Sequence, residues 1–176
     1  MKMPDGGFRP AVNVQFAVDT GSRAVVGVEV VGEGVDTGQL APMRRQVRER
    51  TGRAVKEHLA DGGFLTLHDV EKASEEGVTL YVPPKPPRNA DLRGSEFEPR
   101  ADDSGAVRAW RARMGSEEGK AVYQERASTV ETVNAEAKNK GGLVQLTVRG
   151  LKKARCVALW CALAYDVTHF AGALLG

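Results

Sequence analysis

Only 2 cysteines occur among the 176 residues, aromatic side chains make up 6%, and 3 histidines are present. A disulfide-stapled secreted scaffold needs a much higher cysteine content, so that class is excluded. Cys156 and Cys161 lie five residues apart in an apolar stretch that reads as a helix. Their side chains then point to different faces, and they are expected to be buried free thiols. The uncharged apolar run from Cys156 to Tyr165 is far short of the roughly 20 residues that cross a bilayer. The opening residues Met1 to Gly7 contain no apolar core of the signal-peptide kind. These features predict a cytoplasmic protein with no membrane partner. Charge of one sign is also scarce in excess, because 25 Lys and Arg nearly balance 23 Asp and Glu for a formal charge of +2. A basic tail or an acidic solvating chain is excluded, while binding to nucleic acid is permitted.

What is present is an ordinary globular composition, with 41% apolar and 27% charged residues, and a length suited to one domain with a sizeable core. Val12, Val14, Phe16 and Val18 alternate along Ala11 to Asp19, and Arg23 to Val31 is rich in β-branched residues. With Thr20-Gly21-Ser22 between them, the two runs predict a β-hairpin. Asp36 to Thr51 has Leu40, Met43 and Val47 at helical spacing, with Asp36 as its cap and Arg44, Arg45, Arg48 and Arg50 facing out. A strand candidate over Ala54 to Phe64, a helix over Thr66 to Glu76 and a strand over Val78 to Val82 follow. Pro83-Pro84-Lys85-Pro86-Pro87 then stops regular structure. Residues 83–105 are expected to be an extended or poorly ordered loop insertion, facing DNA through Lys85, Arg88, Arg93 and Arg100. Val107 to Met114 predicts a short helix carrying Trp110, and Glu117 to Asn139 a long one. The apolar segment from Leu151 onward, with Val157, Leu159, Trp160, Leu163 and Phe170, predicts a helix packed on the sheet.

Two places carry chemistry. Asp61 ends a strand candidate and precedes Gly62 and Gly63, which leave open space beside the carboxylate. Glu131 and Lys138 are seven residues apart, and at about 100° per residue they project from one helix face two turns apart. Tyr123 and Arg126 form a neighbouring pair one turn apart. Taken singly, an Asp before glycines is most often a turn residue, and a Glu and Lys on one helix face are most often solvated surface.

Their combination in order resembles the catalytic domain of DDE transposases of the IS4-like group, in its IS1182-type branch. The matching pieces are Asn13 to Asp19, Asp36 to Met43, Ala60 to Phe64, the Tyr123, Arg126, Glu131 and Lys138 set, and Arg149-Gly150-Leu151 before the apolar helix. The family set is written Y-x2-R-x3-E-x6-K; here four residues separate Arg126 from Glu131, and the extra residue rotates the Tyr123 and Arg126 pair relative to Glu131 on a continuous helix.

The resemblance implies an RNase H-like α/β fold, a mixed sheet flanked by helices. Asp61 and Glu131 correspond to two of three catalytic, metal-binding carboxylates that hold Mg2+ or Mn2+ for cutting and joining DNA. Tyr123, Arg126 and Lys138 correspond to residues that bind phosphates of the transposon end. Transposon and target DNA are the implied partners, with a homo-oligomer as the working assembly. The family's first Asp lies on a strand preceding the hairpin; Asp5 and Asp19 do not match it. The expectation is therefore a single domain over residues 1–176, truncated at its N-terminus and lacking the first strand. That predicts either a transposase or a non-catalytic remnant that binds DNA or another transposase.

Overall fold

The computed structural model describes residues 7, 11–32, 34, 36–143 and 145–175. The opening around Asp5 and Phe8 lies outside the described residues. The chain divides into two compact units, one formed by Met1–Gly34 with Ala127–Gly176, the other by Val35–Arg126.

In the first unit, strand β1 (Asn13–Val18) pairs antiparallel with β2 (Val25–Val31), with Asn13 opposite Val31 and Phe16 opposite Val28. The turn is built by Asp19, whose Oδ2 accepts from the Ser22 N–H at 2.8 Å and the Ser22 hydroxyl at 2.7 Å. Arg23 sits at φ 65°, the left-handed conformation such a tight reversal needs. The predicted hairpin is therefore present, with its turn chemistry supplied by Asp19. The ladder slips at Ala17/Val18, and the Val25 N–H turns to the Asp166 carboxylate at 2.9 Å.

Asp166 belongs to α6 (Leu151–Leu175), the helix that lies over this hairpin. The sequence predicts packing through the large apolar side chains; the structure uses the small ones. Ala154, Ala158 and Ala162 recur every four residues and are buried against Val28 and Val30. Alanine lets the helix backbone approach the sheet closely. Leu159, Leu163 and Trp160 point away, and Trp160 is 66% exposed. Cys156 is exposed too, contrary to the buried thiol expected, while Cys161 is partly buried and donates to the Gly141 carbonyl at 3.1 Å. No described helix is long and apolar enough to cross a membrane.

The second unit is a β-α-β arrangement with helices added before and after it. Helix α1 (Leu40–Thr51) ends at Gly52, whose φ of 68° allows its N–H to reach the Arg48 carbonyl. Two expectations for α1 fail. Asp36 does not cap it, because the helix starts at Leu40 and Gln39 is the N-cap, with no side-chain bond. Arg44 does not face out; it is buried and pairs with Glu76 at 2.9 Å, since its position falls on the inner face beside Met43. Strand β3 (Glu57–Leu59) runs parallel to β4 (Thr79–Tyr81), with α2 (Leu67–Glu75) between them. Thr66 and Asp69 close a reciprocal capping box at the start of α2, with Thr66 Oγ1 accepting from the Asp69 N–H and Asp69 Oδ2 accepting from the Thr66 N–H. Thr66→Ala removes the first of these bonds and is expected to cost about 1 kcal/mol. A denaturant titration in which the variant unfolds with the parent would contradict that.

Helix α3 (Gly105–Gly115) completes this unit. Its Val107, Trp110 and Met114 enter a core with Leu40, Val70, Ala73, Leu80 and Val82, and the Trp110 indole N–H donates to the Val82 carbonyl at 2.9 Å. The segment ahead of α3 is not a poorly ordered loop. It forms short 3-10 turns at Ala90–Leu92 and Ser95–Phe97 and is pinned at its end by a buried ion pair between Asp103 and Arg111 at 2.8 Å. Lys85, Arg88, Arg93 and Arg100 remain exposed along it. The strand and helix order of the sequence reading is thus recovered as a mixed α/β chain, with two two-stranded sheets among the described residues, β1 with β2 and β3 with β4.

Candidate functional site

Asp61 lies just beyond β3, where the Ala60 N–H still reaches the Tyr81 carbonyl at 3.3 Å. The ladder stops there, and Asp61 caps the 3-10 turn Gly62–Phe64, its Oδ1 accepting from the Gly63 N–H at 3.3 Å. This turn has little freedom. A Cβ on Gly62 would come within 2.9 Å of the Pro83 carbonyl oxygen, closer than real side chains approach. Glycine at 62 is therefore required by the close passage of the Pro83 backbone, and that passage fixes where the Asp61 carboxylate is presented. The Asp61 side chain is 60% exposed.

Arg126 reaches that carboxylate. Its Nη2 stands 3.6 Å from Asp61 Oδ2, and its own side chain is only 21% exposed. The residue comes from the last turn of α4 (Glu117–Ser128). Tyr123, one turn earlier, is partly buried and packs against the core of the same unit. Three of the predicted site residues, Asp61, Tyr123 and Arg126, thus belong to the Val35–Arg126 unit.

Glu131 and Lys138 belong to the other unit. Both are exposed and both lie on α5 (Val130–Asn139), so their seven-residue spacing is kept within one helix. The continuous helix predicted over Glu117 to Asn139 is not found. It breaks at Thr129, whose φ of −111° and ψ of −88° are not helical, and which is 6% exposed. The break falls between the Tyr123 and Arg126 pair and the Glu131 and Lys138 pair.

Among the described residues, no group of three or more His, Cys, Asp or Glu side chains could hold a metal ion as a preformed cage. Mg2+ does not require such a cage, since it is commonly held by one or two carboxylates with water and substrate phosphate completing the octahedron. An exposed carboxylate of the Asp61 kind fits that chemistry in type. Sequence reasoning had no signal for the Asp61 to Arg126 contact, because 65 residues separate the two. It likewise missed His58 on β3, three residues before Asp61, whose Nδ1 is sheltered with no hydrogen-bond partner among the described residues. Burial, with Arg44 nearby, lowers its pKa to about 4.

Residues 86–171 match the family model described as "Transposase DDE domain". That match shows a likeness to DDE transposase domains over this part of the chain. It includes Tyr123, Arg126, Glu131 and Lys138, and Asp61 lies outside it. No curated protein matches the chain, and no solved structure matches it.

Proposed function

We propose that this chain carries part of the catalytic centre of a DDE transposase with an RNase H-like fold, of the IS4-like group and its IS1182-type branch. The observation that carries the reading is the meeting of Asp61 with Arg126, an acid and a base brought together from distant segments at 3.6 Å. Two residues singled out separately for a metal and for a phosphate share one place on the surface.

In this reading Asp61 and Glu131 are metal-holding carboxylates for Mg2+ or Mn2+, which supply Lewis-acid activation of a phosphodiester and its attacking oxygen. Arg126 and Lys138 bind backbone phosphates of DNA, Arg126 through its planar fork and Lys138 as a point charge. Tyr123, held by the core, orients the helical turn that carries Arg126. Such contacts position a strand without reading its sequence. The exposed Lys85, Arg88, Arg93 and Arg100 extend the same electrostatic attraction along the segment ahead of α3.

Incubation of the purified protein with transposon-end DNA and Mn2+ tests this directly. The expected result is strand cleavage that Asp61→Asn and Glu131→Gln each reduce to background while DNA binding persists. Cleavage surviving both substitutions would sink the assignment. A second reading, a non-catalytic module that binds DNA or a transposase, is favoured by the lack of a three-ligand group among the described residues. It is the outcome if the parent protein binds DNA and never cleaves it.

A further inference from the structure

We propose that the outward face of α6 is the contact between two copies of this chain, which meet on it as antiparallel helices about a two-fold axis. The inference is independent of the transposase reading and uses only the unit formed by Met1–Gly34 with Ala127–Gly176.

Among the described residues seven large apolar side chains are exposed, and four of them, Leu159, Trp160, Leu163 and Val167, share this face. Exposed apolar residues scattered singly need no explanation, whereas a contiguous row marks a contact. With exposed Cys156 and half-buried Phe170 the row runs through positions 156, 160, 163, 167 and 170, in steps of four, three, four and three. That alternation is the heptad seam by which one helix packs on another, and it extends about 21 Å at 1.5 Å per residue. The opposite side of α6 is already taken by the hairpin through Ala154, Ala158 and Ala162.

The charges of α6 select the occupant and its direction. Its lysines and arginines, Lys152, Lys153 and Arg155, all fall in the first five residues, and its one carboxylate, Asp166, lies in the second half. Cations at a helix N-terminus oppose its dipole, and a second α6 lying parallel would set three cations beside three more. Lying antiparallel, they come to the partner's C-terminal half, with its carbonyl end and its carboxylate. With the axis between Trp160 and Leu163, Trp160 faces Leu163 of the partner subunit and Cys156 faces Val167 of the partner subunit, so the row complements itself. Arg155 and Asp166 are eleven residues apart and therefore on one flank of the row. The two-fold carries that flank onto itself and brings the cation of one copy toward the carboxylate of the other. A helix that lies in a membrane surface instead carries cations along a whole polar side, which in α6 is occupied by the hairpin. Trp160, 66% exposed, opens on the order of 150 Å2. With the other three the pair buries roughly 800 Å2 in total, the size of a weak, reversible contact.

Sedimentation velocity of the full chain over a dilution series tests this. A monomer–dimer equilibrium is expected, with a dissociation constant on the order of 100 µM. Trp160→Glu and Leu163→Glu, at exposed positions, are each expected to weaken it about tenfold or more with the circular dichroism spectrum unchanged. Direction is read by air oxidation with copper phenanthroline. Val167→Cys sets a thiol opposite Cys156 of the partner subunit and is expected to give a covalent dimer that peptide mapping joins 156 to 167; this arm decides the case even if a glutamate variant fails to fold. A chain monomeric throughout, or a dimer that both glutamate variants retain, overturns the proposal. A 156 to 156 disulfide in the parent, or no crosslink in Val167→Cys, overturns the antiparallel pairing. A monomer whose fluorescence shifts on phosphatidylglycerol vesicles, with the shift lost in Trp160→Phe, gives the face to a lipid surface instead.

Discussion

Asp103→Ala is expected to destabilise the Val35–Arg126 unit by about 3 kcal/mol, the low end of what breaking a buried ion pair costs. Asp103 and Arg111 have side-chain exposures of 2% and 5% and meet at 2.8 Å. Asp103 Oδ2 also accepts the Arg100 N–H at 2.8 Å, and Arg111 Nη1 donates to the Glu96 carbonyl. Removing the carboxylate strands a guanidinium that has little access to water and releases the Arg100 N–H at the end of the segment ahead of α3. Arg111 keeps part of its environment through the Trp110 ring, 5.5 Å from its guanidinium carbon. Replacing both partners with apolar residues, Asp103→Leu with Arg111→Met, is expected to recover most of the loss, since no charge is then left unpaired. Urea unfolding with a probe on Trp110 measures both; a single variant within about 0.5 kcal/mol of the parent would show that water already compensates the pair.

The second large effect is acid sensitivity traced to His58. Its pKa is lowered to about 4 by burial first and by the Arg44 charge second. Part of the ring surface reaches solvent, but Nδ1 does not. A histidine kept neutral in the folded chain gains its proton at a pKa of about 6.5 once unfolded. The unfolded state therefore binds more protons between the two values, and stability rises with pH across that window. The contribution is complete above about pH 6.5 and is lost as pH falls to about 4, amounting to up to about 3 kcal/mol. Asp103 acts in a different range. Burial pushes its carboxyl up, but the Arg100 N–H and the Arg111 hydrogen bond and charge outweigh that and hold it below the usual carboxylate value. Its contribution is present above that usual value, about pH 3.8, and is lost below it as the pH falls through the folded pKa. Unfolding free energies of the parent and His58→Gln, compared from pH 7 to pH 4, should converge as the pH drops. Parallel curves would show that His58 does not titrate in this way.

The hairpin was legible because alternation and Thr20-Gly21-Ser22 are local signals, and a strand pair with a tight turn needs little else. Helices α2 and α3 were legible because their caps and apolar spacing lie within a few residues of one another. Asp61 could be singled out from an acid followed by two glycines, and the contact between Gly62 and Pro83 gives that pattern its steric reason.

The orientation of Arg44 could not be read, because arginine among arginines on a surface helix looks the same whichever one turns inward. Its partner Glu76 is 32 residues away. The helix break at Thr129 was also invisible: no proline or glycine interrupts Tyr123 to Lys138, so local propensity favours continuity there. On α6, hydrophobicity pointed to Leu159, Trp160 and Leu163 as the packed face, whereas close approach to the hairpin selected Ala154, Ala158 and Ala162. Large side chains promise more buried area, but a helix laid tightly on a sheet selects small ones.

From residues alone came the element order, the two candidate carboxylates and the helical pairing of Glu131 with Lys138, all matters of short-range spacing. Folding in three dimensions assigned Arg126 to Asp61, His58 to a sheltered position and the alanine stripe to the hairpin. Each of those joins residues far apart in the chain, where desolvation, steric fit and Coulombic attraction act between segments that no local pattern relates.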